Sequence, residues 1–266
     1  MLNQHMLFRE RLKTLFNYRD LLHLLIVRDI KLKYRRSFLG YLWSVLDPLF
    51  TMIVMALVFS LMFQREIANF PAYLIAGNVL FSFMRESSGQ AMGSITGNAA
   101  LLKKTYVPKY IFTMSKVTSC LVNLLFSFGA LILVLLFTGI PFSWHMLLFW
   151  IPIVQLYIFC LGLGLFLAQL SVFFRDIQYI WHVVVTAWMY LTPIFYPIDL
   201  LPDRVQWLVT RFNPMFYYIT MFRDMMVYGR MPWMPLVWRG LLVALLMLIL
   251  GLWSFLRNKN RFILYI

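Results

Sequence analysis

The chain alternates long apolar runs with short breaks that carry most of its charge. Six spans are predicted, over about 42–63, 70–84, 110–138, 145–170, 178–196 and 235–256. A helix needs roughly 20 residues to cross the hydrocarbon of a bilayer, and each run comes near that. The second turns polar after Met84, through Arg85, Glu86, Ser87, Ser88, Gly89 and Gln90, while its helix continues to about Thr96. Pro193 and Pro197 close the fifth. The expected fold class is an all-α integral membrane protein with six transmembrane helices.

Three of the breaks carry patterns of their own. Over 18–38, Leu22, Ile26 and Ile30 recur at four-residue spacing beside Leu21 and Leu25, with Arg28, Lys31 and Arg35 on the other side. This predicts an amphipathic helix on the membrane surface, too charged to span. The stretch that follows changes within a few residues from basic to apolar. Tyr41 and Trp43 stand where an aromatic belt would lie. Asp47 and Pro48 predict a helix start there, because Asp can take an orphan N–H and Pro at the first position loses no bond. Between spans two and three, Asn98 to Pro108 reads as a short amphipathic helix. Its apolar Leu101, Leu102, Tyr106 and Val107 stand on an otherwise basic loop and predict a docking surface for a partner. The break 197–233 is long and apolar, and Pro202, Pro214 and Pro232 cut it into pieces too short to span. Two short helices dipping into the outer leaflet are expected. The organisation is then a segment 1–41 with an interfacial helix, a six-span domain over 42–256, and a tail over 257–266.

Composition points the same way. Of 266 residues, 62% are hydrophobic, against about 45–50% in a soluble domain. Mean hydropathy is +0.77, so the bilayer is the expected solvent. Residues 1–20 hold Arg9, Arg11, Lys13 and Arg19 without an apolar core, so no cleavable leader is expected there. An even number of spans puts both termini on one side, and basic residues choose it. The N-terminal segment, the 97–116 loop, Arg175 and the tail hold most of the Lys and Arg. The opposite loops hold Arg65, Arg204, Arg211, Arg223 and Arg230. Both termini are therefore expected in the cytoplasm. The net charge of +14 is assigned to topology and anionic lipid headgroups rather than to nucleic acid.

Candidate chemistry is sparse. His5, His23, His145 and His182 have no carboxylate or second His at metal-ligand spacing, so no metal is expected. The sequence lacks G-x-S-x-G, H-E-x-x-H and the nucleotide-binding G-x-x-x-x-G-K-[ST]. Its ten acidic residues are scattered singly. An enzyme is disfavoured, and the chain is not expected to hydrolyse ATP itself. Cys120 and Cys160 fall in apolar runs and are expected as buried free thiols. Arg85 and Glu86, ionisable residues in the inner half of a span, either line a cavity or mark a helix end emerging into water. Lys31, Lys33, Arg35 and Arg36 either attract an anionic headgroup or only fix topology.

Three stretches resemble one family. SFLGYLWSVLDPL at 37–49, FFRDI at 173–177 and NPMFYYITMFRDMMVYG at 213–229 stand in the order found in ABC-2 type permeases that export polysaccharides such as O-antigen and teichoic acid. The resemblance covers nearly the whole chain. It implies a homodimeric permease joined by two copies of a separate nucleotide-binding subunit, which alone holds ATP and Mg. The implied substrate is a lipid-linked glycan, often on polyprenyl diphosphate, and the chain binds no cofactor. The resemblance implies a substrate entrance beside 18–38, with Lys31, Lys33, Arg35 and Arg36 at the headgroup. It implies a path past Tyr41, Trp43, Arg85 and Glu86. It also implies a coupling helix with Leu101, Leu102, Lys103, Lys104 and Tyr106, and an external gate with Trp207, Asn213, Pro214 and Arg223. The alternatives are an ABC-2 permease for a drug or small lipid, and a membrane-bound glycosyl- or acyltransferase.

Overall fold

The computed structural model describes residues 18–35, 38–63, 69–104, 107–258 and 262. Among these the secondary structure is helical throughout, in ten α-helices with short 3-10 turns between them. They are α1 (Arg19–Tyr34), α2 (Trp43–Phe63), α3 (Phe70–Met92), α4 (Ala99–Lys104), α5 (Tyr110–Phe137), α6 (Trp150–Phe173), α7 (Ile177–Leu191), α8 (Asp203–Phe212), α9 (Pro214–Met226) and α10 (Met234–Asn258).

Four segments are long and apolar enough to cross a bilayer: Gly40–Phe59, Tyr110–Phe137, Trp144–Phe173 and Met234–Asn258. They match expected spans one, three, four and six. The other two expected spans form as helices with different properties. The 23 residues of α3 are long enough, but its C-terminal half is polar. α7 has 15 residues, about 22 Å at 1.5 Å per residue, against a hydrocarbon core of about 30 Å.

The core is built around α3. Sixteen of its residues are buried, and it packs against α2, α5, α6, α7 and α9. Within its polar half, Ser87 and Ser88 are covered by protein, whereas Arg85 and Gly89 stay exposed, so the polar face is divided between packing and an open space. The closest helix pairing is α6 with α10. There the backbones meet: a Cβ on Gly162 would collide with Met247 and Leu248, and one on Gly251 with the Gly162 carbonyl. Small residues permit this approach, which membrane helices use because hydrocarbon offers no hydrophobic drive between them. Cys120 and Cys160 are both free and buried, as the sequence predicts.

The first span corrects one expectation. Its helix begins at Trp43, after a 3-10 turn over Gly40–Leu42, and Pro48 lies inside it. A proline in a helix leaves the carbonyl four residues earlier without its donor. That carbonyl belongs to Ser44, and Ser127 of α5 donates its hydroxyl to it at 3.0 Å. The start signal at Asp47–Pro48 is thus overridden by a side chain from another helix.

α1 lies against α5 and the start of α4 rather than standing apart. Leu25 is buried with Ile111 and Phe112, and Leu21, Leu22, Leu101, Leu102 and Val107 close around them. The polar side of α1 is also engaged. Asp29 pairs with Lys116 at 3.0 Å, and Arg28 donates to Asn98 at 3.3 Å, just before α4. Leu24 and Leu32 face outward beside the exposed Lys31 and Arg35. That outward mixture of leucine and base suits a headgroup layer.

The apolar break after α7 forms α8 and α9 as two short helices. α9 is buried inside the bundle against α3, α6 and α10, while α8 stays exposed. Phe262, near the C-terminal end, is buried against Phe255 and Phe173.

Candidate functional site

Three helices turn polar stripes toward one space. On α3 the stripe is Asn78, Ser82, Arg85 and Glu86, on α2 Ser44, Asp47 and Thr51, and on α5 Asn123 and Ser127. Each follows the three- and four-residue spacing that places side chains on one helix face. With Lys33 and Tyr34 of α1 and Trp43 of α2 they line a cleft of about 400 Å³. Met189 and Phe195 close it on the side of α7.

Its charges are arranged unevenly. Lys33 donates to Glu86 at 2.7 Å, and Gln90, one turn along α3, donates to the same carboxylate oxygen at 3.0 Å. Burial pulls the Lys33 ammonium down, but the hydrogen bond and charge of Glu86 outweigh it and leave the pKa above its ordinary value. Lys33 stays charged at neutral pH. Tyr34 donates to Asn123 at 3.3 Å, and burial raises its pKa, so the phenol stays neutral. Arg85 is exposed in the cleft, and its guanidinium makes no hydrogen bond or ion pair with another described residue. Neutral amides, hydroxyls and an indole beside paired charges can hold a hydroxyl-rich ligand, and the cations can hold an acidic group on it.

The structure gathers some predicted residues and separates others. Lys33, Trp43, Arg85 and Glu86 come together in the cleft. Tyr41 sits beside it, with its ring 4.9 Å from Tyr34 and 6.1 Å from Phe126. Lys31 and Arg35 lie on the outward side of α1, and Arg36 lies outside the described residues. On α4, Leu101 and Leu102 turn toward α1 and the bundle, whereas Lys103 and Lys104 are exposed. Tyr106 lies outside the described residues. Asn78, Ser82, Asn123 and Ser127 went unpredicted. Their signal was available as a polar stripe at helical spacing on separate spans, but apolar neighbours mask it in any single window.

The residues expected at the external gate divide between surface and core. Trp207 is exposed on α8, with the Arg211 guanidinium 4.9 Å from its ring centroid. Asn213 caps α9: its side chain accepts from Met215 N at 3.0 Å and from the Trp188 indole at 2.8 Å, and donates to Thr192 at 2.9 Å. Pro214 takes the first helical position, where its missing N–H costs nothing. Arg223 is buried and donates to the carbonyls of Tyr73 at 3.1 Å, Pro193 at 2.8 Å and Ile194 at 3.0 Å. Its guanidinium also lies 3.3 Å from the Tyr73 ring centroid. These acceptors are carbonyls of the chain after α7 and of α3, so Arg223 joins three elements. A second cleft of about 500 Å³ opens beside it, lined by Asp199, Thr220, Asp224 and Arg230.

A family model described as ABC-2 type transporter matches residues 20–227. The O-antigen export system permease protein RfbA of Myxococcus xanthus is 31% identical over 221 residues, covering 83% of this chain and 85% of its own length. A protein of the same name from Klebsiella pneumoniae is 28% identical over 250 residues, covering 91% and 93%. The capsule polysaccharide export inner-membrane protein CtrC of Neisseria meningitidis serogroup A is 25% identical over 251 residues, covering 91% and 92%.

Proposed function

This chain belongs to the ABC-2 type transporters, and from that premise we propose that it exports a lipid-linked polysaccharide of the O-antigen or capsule kind. It is the multi-pass permease subunit of an ABC transporter, and a nucleotide-binding subunit works with it. The observation that carries the substrate reading is similarity to O-antigen permeases across most of the chain.

In this reading α3 and α7 cross the membrane with the four apolar segments, giving six passes. α3 tolerates its polar half because Ser87 and Ser88 are packed within the bundle and Arg85 and Glu86 face the cleft rather than lipid. α7 reaches across with the chain after it, whose carbonyls are served by Arg223 and Tyr73. Both termini lie in the cytoplasm, and α8 and α9 form a re-entrant external gate. Two copies pair, with the clefts facing a shared path, and two nucleotide-binding subunits dock under α4. Those subunits bind ATP and Mg. Glycan hydroxyls pass along Asn78, Ser82, Asn123, Ser127 and Trp43. ATP-driven motion enters at α4 and reaches the cleft through α1, since only differential contact between two states can drive transport.

The test is deletion of the gene with analysis of lipid extracts. A lipid-linked glycan accumulating inside the cell, with loss of surface glycan, is the expected result. Unchanged surface glycan and no accumulation would sink the proposal. A reporter fused after Ile266 is expected to give a cytoplasmic signal.

A further inference from the structure

The cleft lining carries two cations, Lys33 and Arg85, and two carboxylates, Asp47 and Glu86. A balanced lining does not gather anions by its overall field. Its internal arrangement is asymmetric, however. Lys33 is held by Glu86 at 2.7 Å, and its side chain is 40% exposed, so it remains within reach of a ligand. Arg85, the sequence neighbour of Glu86, faces the same space without a described partner. A guanidinium fork matches two phosphate oxygens at once, and an ammonium serves as a point charge beside it.

We propose that this cleft is an anion-exchange site, in which a prenyl diphosphate headgroup settles between Arg85 and Lys33 by displacing the Glu86 carboxylate from Lys33. The inference rests on the lipid-linked substrate proposed above. The exchange is favourable for three reasons. A half-exposed ion pair is weak in water, so opening it costs little. Gln90 already donates to the Glu86 oxygen at 3.0 Å, so the released carboxylate keeps a partner. A diphosphate offers one phosphoryl group to each of the two cations lining the cleft, whereas Glu86 pairs with only one of them, Lys33. Asp47, on the α2 wall, repels an anion and confines it to the side of α1 and α3. Occupancy also releases a tie between α1 and α3. Because α1 packs on α4 through Leu21, Leu22, Leu101 and Leu102, a filled cleft is thereby reported to the coupling segment.

The test uses the full chain in nanodiscs with farnesyl diphosphate as probe, and inorganic pyrophosphate and farnesol as separate arms. Glu86→Gln removes the competing charge and is expected to tighten farnesyl diphosphate about tenfold, while Arg85→Ala weakens it about tenfold. Arg85→Lys, which keeps the charge without the fork, serves where Arg85→Ala does not fold and is expected to weaken binding less. The same order of variants for pyrophosphate assigns recognition to the phosphates alone. That order for farnesyl diphosphate only assigns it to the lipid-borne headgroup. Glu86→Gln binding no tighter than wild type, Arg85 variants binding unchanged, or farnesol binding as well as its diphosphate would overturn the exchange. Glycan export is scored independently. Intact export after gene deletion with the expected binding order removes the proposed function and keeps the site, and the reverse pattern removes the site alone.

Discussion

Ser127 Oγ lies 3.0 Å from the Ser44 carbonyl oxygen, the acceptor that Pro48 leaves without a helical donor. The bond replaces the helical donor that the proline removes, so Pro48 sits inside the first span without leaving that carbonyl unpaired. Ser127→Ala is expected to destabilise the protein by about 1–3 kcal/mol, the cost of a buried acceptor left alone. Thermal unfolding in detergent measures it. In a P48A background, where the backbone N–H returns, the same substitution should cost much less. Equal costs in both backgrounds would refute the compensation.

Arg223 serves three carbonyls on two other elements. Arg223→Lys keeps the charge but cannot reach all three acceptors, and it should cost about 3 kcal/mol or more from the groups left unpaired. Gly77 makes room for the guanidinium: a Cβ there would stand 2.6 Å from Arg223 Nη2. Gly77→Ala is therefore expected to lower the unfolding midpoint in the same direction. A midpoint unchanged in both variants would show that the arginine is dispensable to the fold.

On α4 the structure separates a packing face from an exposed face. Lys103→Glu with Lys104→Glu should weaken co-purification of the nucleotide-binding subunit about tenfold, the size of two rim charge contacts. Lys104→Glu alone should leave the unfolding midpoint unchanged. Leu102→Asp should lower that midpoint, because it places a charge among Ile111, Phe112 and Leu25. If the leucine variant alone lost the partner at unchanged stability, the docking face would be the apolar one.

Gly162 and Gly251 set the separation of α6 and α10. Gly162→Ala is expected to cost about 1–3 kcal/mol by overpacking backbone against backbone. Retained expression and an unchanged unfolding midpoint would show that the two helices can part without loss.

The sequence by itself determined the helical class, the positions of the long apolar segments, the helix before the first span, the short helix at α4 and the two helices of the long apolar break. It did so because length and apolar content are local quantities, and a helix in lipid satisfies its own backbone. It also carried the three stretches that resemble the polysaccharide exporters. Only the tertiary structure decided that Pro48 lies within a helix, since the donor that permits it comes from α5. Only the packing shows that Leu101 and Leu102 face α1, or that Arg223 joins α9 to α3 and the chain after α7. The cleft is the clearest case. Lys33, Glu86, Asn123 and Asp47 belong to four helices, and no window of sequence reveals which polar residues share a space. The physical reason is that covalent order fixes which face each helix can offer, whereas burial and charge pairing between distant segments fix which faces meet.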